Sequence, residues 1–343
     1  MDVPECIADF CVHSLLETAT CSACVDACPR EAWILNEDIL GLDTAVCDGC
    51  GLCRPACPEG AITIQQSVAI HAWRGERVAV AACALSDVKT SDASLACIHS
   101  LGLQNILHLY KHGIRRLVAA TGKCSNCPRG ESALLDQSIA ALNTSLQHSG
   151  NPLFMLEGKT PEEWSHFRSQ ATNMPSGPVL TRRRFLRRLV ETDSASPDDL
   201  QPLAGRERES FLPPGQLLPD VTDDSILPYV PDIDPQRCSG CDACIRICPH
   251  QALSLELDNL IPAYRLNAVK CTGCGMCIDI CDQAAVSIRR WTTQARKAVT
   301  LKEMRCSACG VAFHMPATEG GNSNSHCRIC MQTRHQQHLF QVL

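Results

Sequence analysis

The chain has 343 residues, a formal net charge of -6 and only 4% aromatic residues, a balance that argues against a phosphate-binding surface or a base-stacking platform, so no nucleic acid partner is expected. Its 25 cysteines are the outlier, and their repeated C-x2-C spacing reads as metal ligation, not as the disulfide framework of a short secreted chain. No apolar run approaches the roughly 18 residues of a membrane span, and the opening MDVPECIADF has no basic stretch leading into an apolar one, so the expected setting is a reducing cytoplasm without direct membrane insertion.

Cysteine spacing and composition divide the chain into 1–66, 67–172, 173–231, 232–295 and 300–343. In the first block Cys47, Cys50, Cys53 and Cys57-Pro58 spell C-x2-C-x2-C-x3-C-P. Three thiolates on one tight loop can grip three irons of a 4Fe-4S cubane, while the fourth, on the helix beyond, points to a second cluster. The preceding half reads only Cys21-Ser-Ala-Cys24-Val-Asp-Ala-Cys28-Pro29, with Thr18 where a leading cysteine is expected. Either three thiolates hold an incomplete cluster, or an upstream cysteine, Cys11 or Cys6, swings in. The short loop from Cys11 to Cys21 closes at modest entropic cost, which favours Cys11 and leaves Cys6 as a small buried hydrophobe. The block resembles bacterial two-cluster ferredoxins whose first motif takes its leading cysteine from upstream. The expected sets are Cys11, Cys21, Cys24 and Cys57 for one cluster and Cys47, Cys50, Cys53 and Cys28 for the other. Ala61–Gln65 is the predicted strand after the second motif.

In the second block Arg77–Cys83 and Arg115–Thr121 are apolar runs that suit buried strands, and Ser94–His112 and Glu131–His148 have helical length and spacing. The alternation predicts a small α/β domain. Cys83 closes a strand, Cys97 falls early in a predicted helix, and Cys124-Ser-Asn-Cys127 follows the next strand. Ligands at strand ends of such a sheet converge on one edge, where four thiolates suit a 2Fe-2S cluster, a zinc ion or a metal-free packed domain. The order of features, including Gly113-Ile-Arg-Arg-Leu-Val-Ala-Ala-Thr-Gly-Lys-Cys124, resembles the 2Fe-2S delta subunit of methyl-viologen-reducing hydrogenases, a family that feeds electrons to heterodisulfide reductase. That resemblance implies a 2Fe-2S cluster on Cys83, Cys97, Cys124 and Cys127.

Thr181-Arg-Arg-Arg-Phe185-Leu186-Arg187 resembles a twin-arginine export signal, but it lies mid-chain with no apolar run after it, so an exposed basic helix is expected. From about Glu191 to Pro231 seven prolines and many acidic residues predict an irregular linker.

The block 232–295 states the motif twice in full: Cys238, Cys241, Cys244 and Cys248-Pro249, then Cys271, Cys274, Cys277 and Cys281. Crossed ligation gives Cys238, Cys241, Cys244 and Cys281 to one cluster and Cys271, Cys274, Cys277 and Cys248 to the other. Strands are predicted at Leu253–Leu257 and Val286–Arg290. The block resembles two-cluster bacterial ferredoxins, with Asp282 departing from the family's proline. At the end of the chain, Cys306, Cys309, Cys327 and Cys330 have the C-x2-C-x17-C-x2-C spacing of a zinc ribbon; a mononuclear iron would use the same ligands, and His314 or His326 could replace a thiolate.

The expected fold class is therefore α+β, with two ferredoxin-like modules for paired 4Fe-4S clusters, a small α/β domain between them and a C-terminal zinc-ribbon-like segment. Four 4Fe-4S clusters, one 2Fe-2S cluster and one zinc ion would use every cysteine except Cys6. No H-E-x-x-H, G-x-G-x-x-G or G-x4-G-K-[ST] is present. The expected function is relay of single electrons between a donor and an acceptor oxidoreductase, with other redox proteins or oxidoreductase subunits as partners. The alternatives are a catalytic subunit with an open iron and an iron-sulfur and zinc regulator that binds nucleic acid.

Overall fold

The structure, a computed structural model, describes residues 2–36, 40–66, 68–88, 93–129, 133–173, 211–257, 261–318 and 325–333. The chain divides into two compact units, Met1–Ile7 with Ala23–Asn143 and Pro152–Phe211, and Ala8–Ser22 with Thr144–Asn151 and Leu212–Leu343.

Strand β1 (Glu5–Cys6) opens the first unit, and α1 (Val12–Leu15) follows in a segment that belongs to the second. Helix α2 (Ala23–Asp26), strands β2 (Trp33–Leu35) and β3 (Leu40–Leu42), helix α3 (Cys53–Ala56) and strand β4 (Ile62–Thr63) complete the first cysteine repeat, with β2 paired to β3 and β1 to β4. Both helices are a single turn long. Pro58 holds Cys57 in an extended conformation, φ -73° and ψ 114°, which ends α3.

The rest of the first unit is a six-stranded sheet. Its strands are β5 (Ala69–Trp73), β6 (Glu76–Cys83), β7 (Ser94–Leu95), β8 (Arg116–Ala120), β9 (Met155–Lys159) and β10 (Thr172–Asn173), in the order β10-β5-β6-β8-β9 with β7 also on β6. Strands β6, β7, β8 and β9 run parallel, joined through α4 (Leu103–Lys111) and α5 (Leu134–His148), and α6 (Pro161–Gln170) follows β9. Strand β6 is an almost unbroken apolar run because it is covered on both faces. On one face Val78, Val80, Ala82, Val118 and Ala120 pack with Trp164 and Phe167 of α6. Helix α6 starts where the sequence dictates: Thr160 Oγ1 accepts from the Glu163 N–H, Glu163 Oε2 accepts from the Thr160 N–H, and Pro161 occupies the first helical turn.

The stretch Ser94–His112 is not one helix. It holds β7, a 3-10 turn at Ile98–Ser100 and then α4, and Cys97 precedes the turn in extended conformation. The break falls at Gly102, where a Cβ would lie 2.3 Å from the Pro55 Cβ of α3. The predicted helix Glu131–His148 is observed as α5 from Leu134, residues 130–132 lying outside the described residues.

The second unit contains α7 (Pro214–Leu217), β11 (Leu227–Ile233), α8 (Ala243–Ile247), β12 (Leu253–Glu256), β13 (Ala263–Leu266), α9 (Met276–Asp279), β14 (Val286–Thr292), β15 (Ala298–Arg305), β16 (Ala312–Pro316) and α10 (Arg328–Thr333). Strand β11 pairs antiparallel with β14, and a four-stranded sheet runs β12-β13-β15-β16. The linker expected up to Pro231 therefore ends earlier, since α7 and β11 are regular. Pro228 and Pro231 conceal β11 in the sequence, and Pro228 drops out of the register with β14, between the pairs Leu227–Thr292 and Tyr229–Arg290. The basic stretch Thr181–Arg187 and the linker up to residue 210 lie outside the described residues. Because β15 pairs with β13, the hairpin leading to Cys306 extends the sheet of the second cysteine repeat. Among the described residues no helix is long and apolar enough to cross a membrane.

Candidate metal centres

Tight loops and single-turn helices bring the cysteines of the second unit together in crossed sets. Cys238, Cys241, Cys244 and Cys281 line one cavity, although Cys281 comes from the other motif. The thiols acting on Cys277 are Cys274, Cys271 and Cys248, then Cys244. Burial pushes the Cys244 thiol up to about 12, with Cys238, Cys241 and Cys281 adding to the shift, and burial raises Cys277 strongly as well. Thiols so placed take up iron only by releasing protons.

One local device recurs after every motif, and cysteine spacing alone does not reveal it. The last cysteine accepts a hydrogen bond at sulfur from the N–H four residues on: Ala32 to Cys28 at 3.4 Å, Ala61 to Cys57 at 3.2 Å, Ala252 to Cys248 at 3.2 Å and Ala285 to Cys281 at 3.3 Å. The residue before each alanine is left-handed: Glu31, Gly60, Gln251 and Ala284. Such bonds stabilise thiolate charge and tune cluster potential. Cys281 keeps the turn although Asp282 replaces proline, and the Asp282 carboxylate instead accepts from Arg328 Nη2 at 2.7 Å.

Aromatic residues close the same sites. Tyr264 lines the Cys238 cavity and donates to Asp242 Oδ1 at 2.6 Å; His314 Nε2 lies 2.8 Å from that oxygen. The ring of Tyr229 fills the space where a Gly273 Cβ would stand, beside the Cys271–Cys274 loop.

In the first unit Cys28, Cys47, Cys50 and Cys53 line one cavity with Trp33 and Asp48. Burial pushes Cys53 up to about 12, partly offset by a hydrogen bond from Trp33. Cys24 is buried with Trp33, Cys53 and Ile62, and Cys57, Cys28 and Cys6 pack against that core. In the second unit Cys11 precedes α1, and His13 Nε2 lies 2.7 Å from the Cys21 carbonyl oxygen, tying the Cys11 turn to Cys21. Thr20 donates to the Asp279 carboxylate of α9 through its N–H at 3.0 Å and its hydroxyl at 2.8 Å.

Cys83, Cys97, Cys124 and Cys127 line a cavity of about 380 Å³ at the C-terminal ends of the parallel strands β6, β7 and β8. His99 is buried in its wall, Nε2 3.8 Å from Cys124 Sγ, and burial lowers its imidazole below the ordinary range. At the end of the chain the geometry differs: the sulfurs of Cys306, Cys309, Cys327 and Cys330 all lie within 4.8 Å of one another, the gathering that a single tetrahedral ion with bonds of about 2.3 Å requires. Burial alone would raise the Cys306 thiol, but backbone N–H groups of Cys327, Cys309 and Ala308 outweigh it and bring it down to about 6. His314 is engaged with Asp242, and His326 Nε2 lies 3.4 Å from Ser307 Oγ.

These arrangements agree with what known proteins share with the chain. The 4Fe-4S dicluster domain family matches residues 231–282, and the 4Fe-4S binding domain family matches residues 41–63. An uncharacterized ferredoxin of Methanocaldococcus jannaschii is 33% identical over 54 residues, which are 16% of this chain and 87% of that protein. A likeness running through most of a ferredoxin, added to two matched cluster domains, makes this chain a member of the ferredoxin family.

Proposed function

We propose that the protein relays single electrons between a donor and an acceptor oxidoreductase, as a cytoplasmic carrier or as a subunit of a larger complex. The observation that carries this reading is the crossing of thiols from paired motifs around shared cavities, seen at Cys238, Cys241, Cys244 and Cys281 and at Cys47, Cys50, Cys53 and Cys28. A cubane with a thiolate on every iron has no open position for substrate, so its chemistry is outer-sphere electron transfer. The chain's own contribution is to exclude water with Trp33, Tyr229 and Tyr264 and to set potentials through N–H groups aimed at sulfur.

In this reading Cys271, Cys274, Cys277 and Cys248 hold a third cubane and Cys11, Cys21, Cys24 and Cys57 a fourth. The middle domain, similar in its order of features to the hydrogenase delta subunit, holds a 2Fe-2S cluster on Cys83, Cys97, Cys124 and Cys127. A cavity lined by spread thiols favours a binuclear centre there over a single ion. The C-terminal thiols hold zinc. Anaerobic purification with iron, sulfide and zinc analysis tests the inventory: about 18 irons and about one zinc per chain are expected, with 4Fe-4S and 2Fe-2S signals in EPR after dithionite. A colourless protein without sulfide would end the proposal.

The fourth ligand of the incomplete motif has its own test. Cys11→Ser is expected to lower the iron content and alter one 4Fe-4S signal, while Cys6→Ser leaves both intact. The reverse result transfers the role to Cys6, which packs against the Cys24 core.

A further inference from the structure

The N-terminal cavity of Cys28, Cys47, Cys50 and Cys53 and the middle cavity of Cys83, Cys97, Cys124 and Cys127 share a wall. Cys50 and Gly51 face the first, and Leu52, the next residue, faces the second. Cys50, Leu52 and Cys97 form one buried cluster, so a thiol of each set belongs to the same packed group. The two bodies meet closely elsewhere too, since Gly102 admits Pro55 of α3 where a Cβ would stand.

Arg129 spans that wall. It lines the middle cavity, its side chain is 11% exposed, its Nε donates to Asp48 Oδ2 at 2.7 Å, and its Nη1 donates to the Ala96 carbonyl beside Cys97. Asp48 lines the N-terminal cavity, and Arg30 Nε lies 3.6 Å from the same Oδ2 that accepts from Arg129. Cys50 and Cys97 both lie within the electrostatic reach of the Arg129 guanidinium. That group stays cationic at any working pH, so it favours the more negative, reduced state of whatever its neighbouring thiolates hold.

We infer that these two centres form a directly coupled redox pair, exchanging electrons across the Cys50–Leu52–Cys97 wall, with Arg129 as the positioning charge that sets both potentials. The inference rests on the proposed clusters. One electron leaves the irons of one centre and enters those of the other; no bond forms or breaks, and no proton is needed because the total charge of the pair does not change.

The test uses the full-length, anaerobically purified protein and the variants Arg129→Met and Arg129→Lys. In the dithionite-reduced wild type, the 2Fe-2S EPR signal is expected to show broadening and fast relaxation from a neighbouring reduced cubane. In Arg129→Met, with unchanged iron content, two potentials move negative together, the 2Fe-2S potential and one 4Fe-4S potential. Each shift corresponds to at least a tenfold loss of the reduced form at fixed potential, about 59 mV for one electron. The remaining potentials stay put, and Arg129→Lys restores most of both shifts. A wild type with both signals but no magnetic interaction, or an Arg129→Met protein in which one potential or none moves, overturns the inference and leaves the cluster assignment standing. A protein lacking the 2Fe-2S signal overturns that assignment and the inference with it.

Discussion

Cys244→Ala is expected to strip one cubane from the chain and to unfold much of the second cysteine repeat with it. Cys244 belongs to the buried core, packed with Ile233, Leu253, Tyr264, Leu266, Cys277, Val286, Val299 and Leu301, and both motifs of the module contribute a cysteine to that core. A core this small does not stabilise a module unaided, so the metal bonds must supply the difference. Structural zinc in small zinc-finger peptides, on roughly the scale of 10–16 kcal/mol, shows how large such a contribution is. Truncating a thiol that merely filled space costs on the order of 1 kcal/mol and leaves iron untouched. The two cases are far apart. Iron and sulfide analysis of Cys244→Ala should fall by about four irons, with a collapsed thermal transition. Ile233→Val, on the same core, should cost about 0.5–1.5 kcal/mol with full iron content. Full iron in Cys244→Ala would falsify the ligand role.

The cluster loops were legible in the sequence because their geometry is local. Three thiols within seven residues can only converge, and the crossing of the fourth follows from the pairing of motifs. The alanine four residues after Cys28, Cys57, Cys248 and Cys281 was equally visible as a repeat, but its meaning, an N–H aimed at sulfur, needs the left-handed residue before it. What stayed hidden depends on distant partners. Ser94–His112 reads as one helix until Pro55 packs against Gly102, and Leu227–Ile233 reads as linker until β14 supplies its pairing partner. Arg129 carries no motif at all. Its role arises because the turn after Cys127 lies next to Asp48, which is 81 residues away in the chain.

Gly240→Ala is expected to release the C-terminal hairpin from the cluster loop, and a second glycine on the same kind of loop isolates the reason. Gly240 and Gly275 both have left-handed backbone, φ 70° and 84°, so an added side chain carries a similar conformational cost of about 1–2 kcal/mol at either position. Their surroundings differ. A Cβ at Gly275 meets nothing within 4 Å, whereas one at Gly240 lies 2.2 Å from the His314 carbonyl oxygen and 3.2 Å from the Met315 Cα. Those are backbone atoms of β16, locked to β15 by the pairing of Lys302 with Met315 and Glu303 with His314, so the clash cannot be relieved by turning a side chain. The hairpin must lift, taking His314 from Asp242 and straining the Arg328–Asp282 ion pair, polar contacts that tie the C-terminal segment to the loops of the Cys238 site. Gly240→Ala should therefore lose at least about 2 kcal/mol more than Gly275→Ala in thermal or denaturant unfolding, surrender the metal proposed for Cys306, Cys309, Cys327 and Cys330 to a chelator faster, and bleach sooner in air as the Cys238 site opens to solvent. Equal losses in the two variants would show that the approach of β16 to Gly240 contributes nothing, and that the C-terminal hairpin does not cover the Cys238 site.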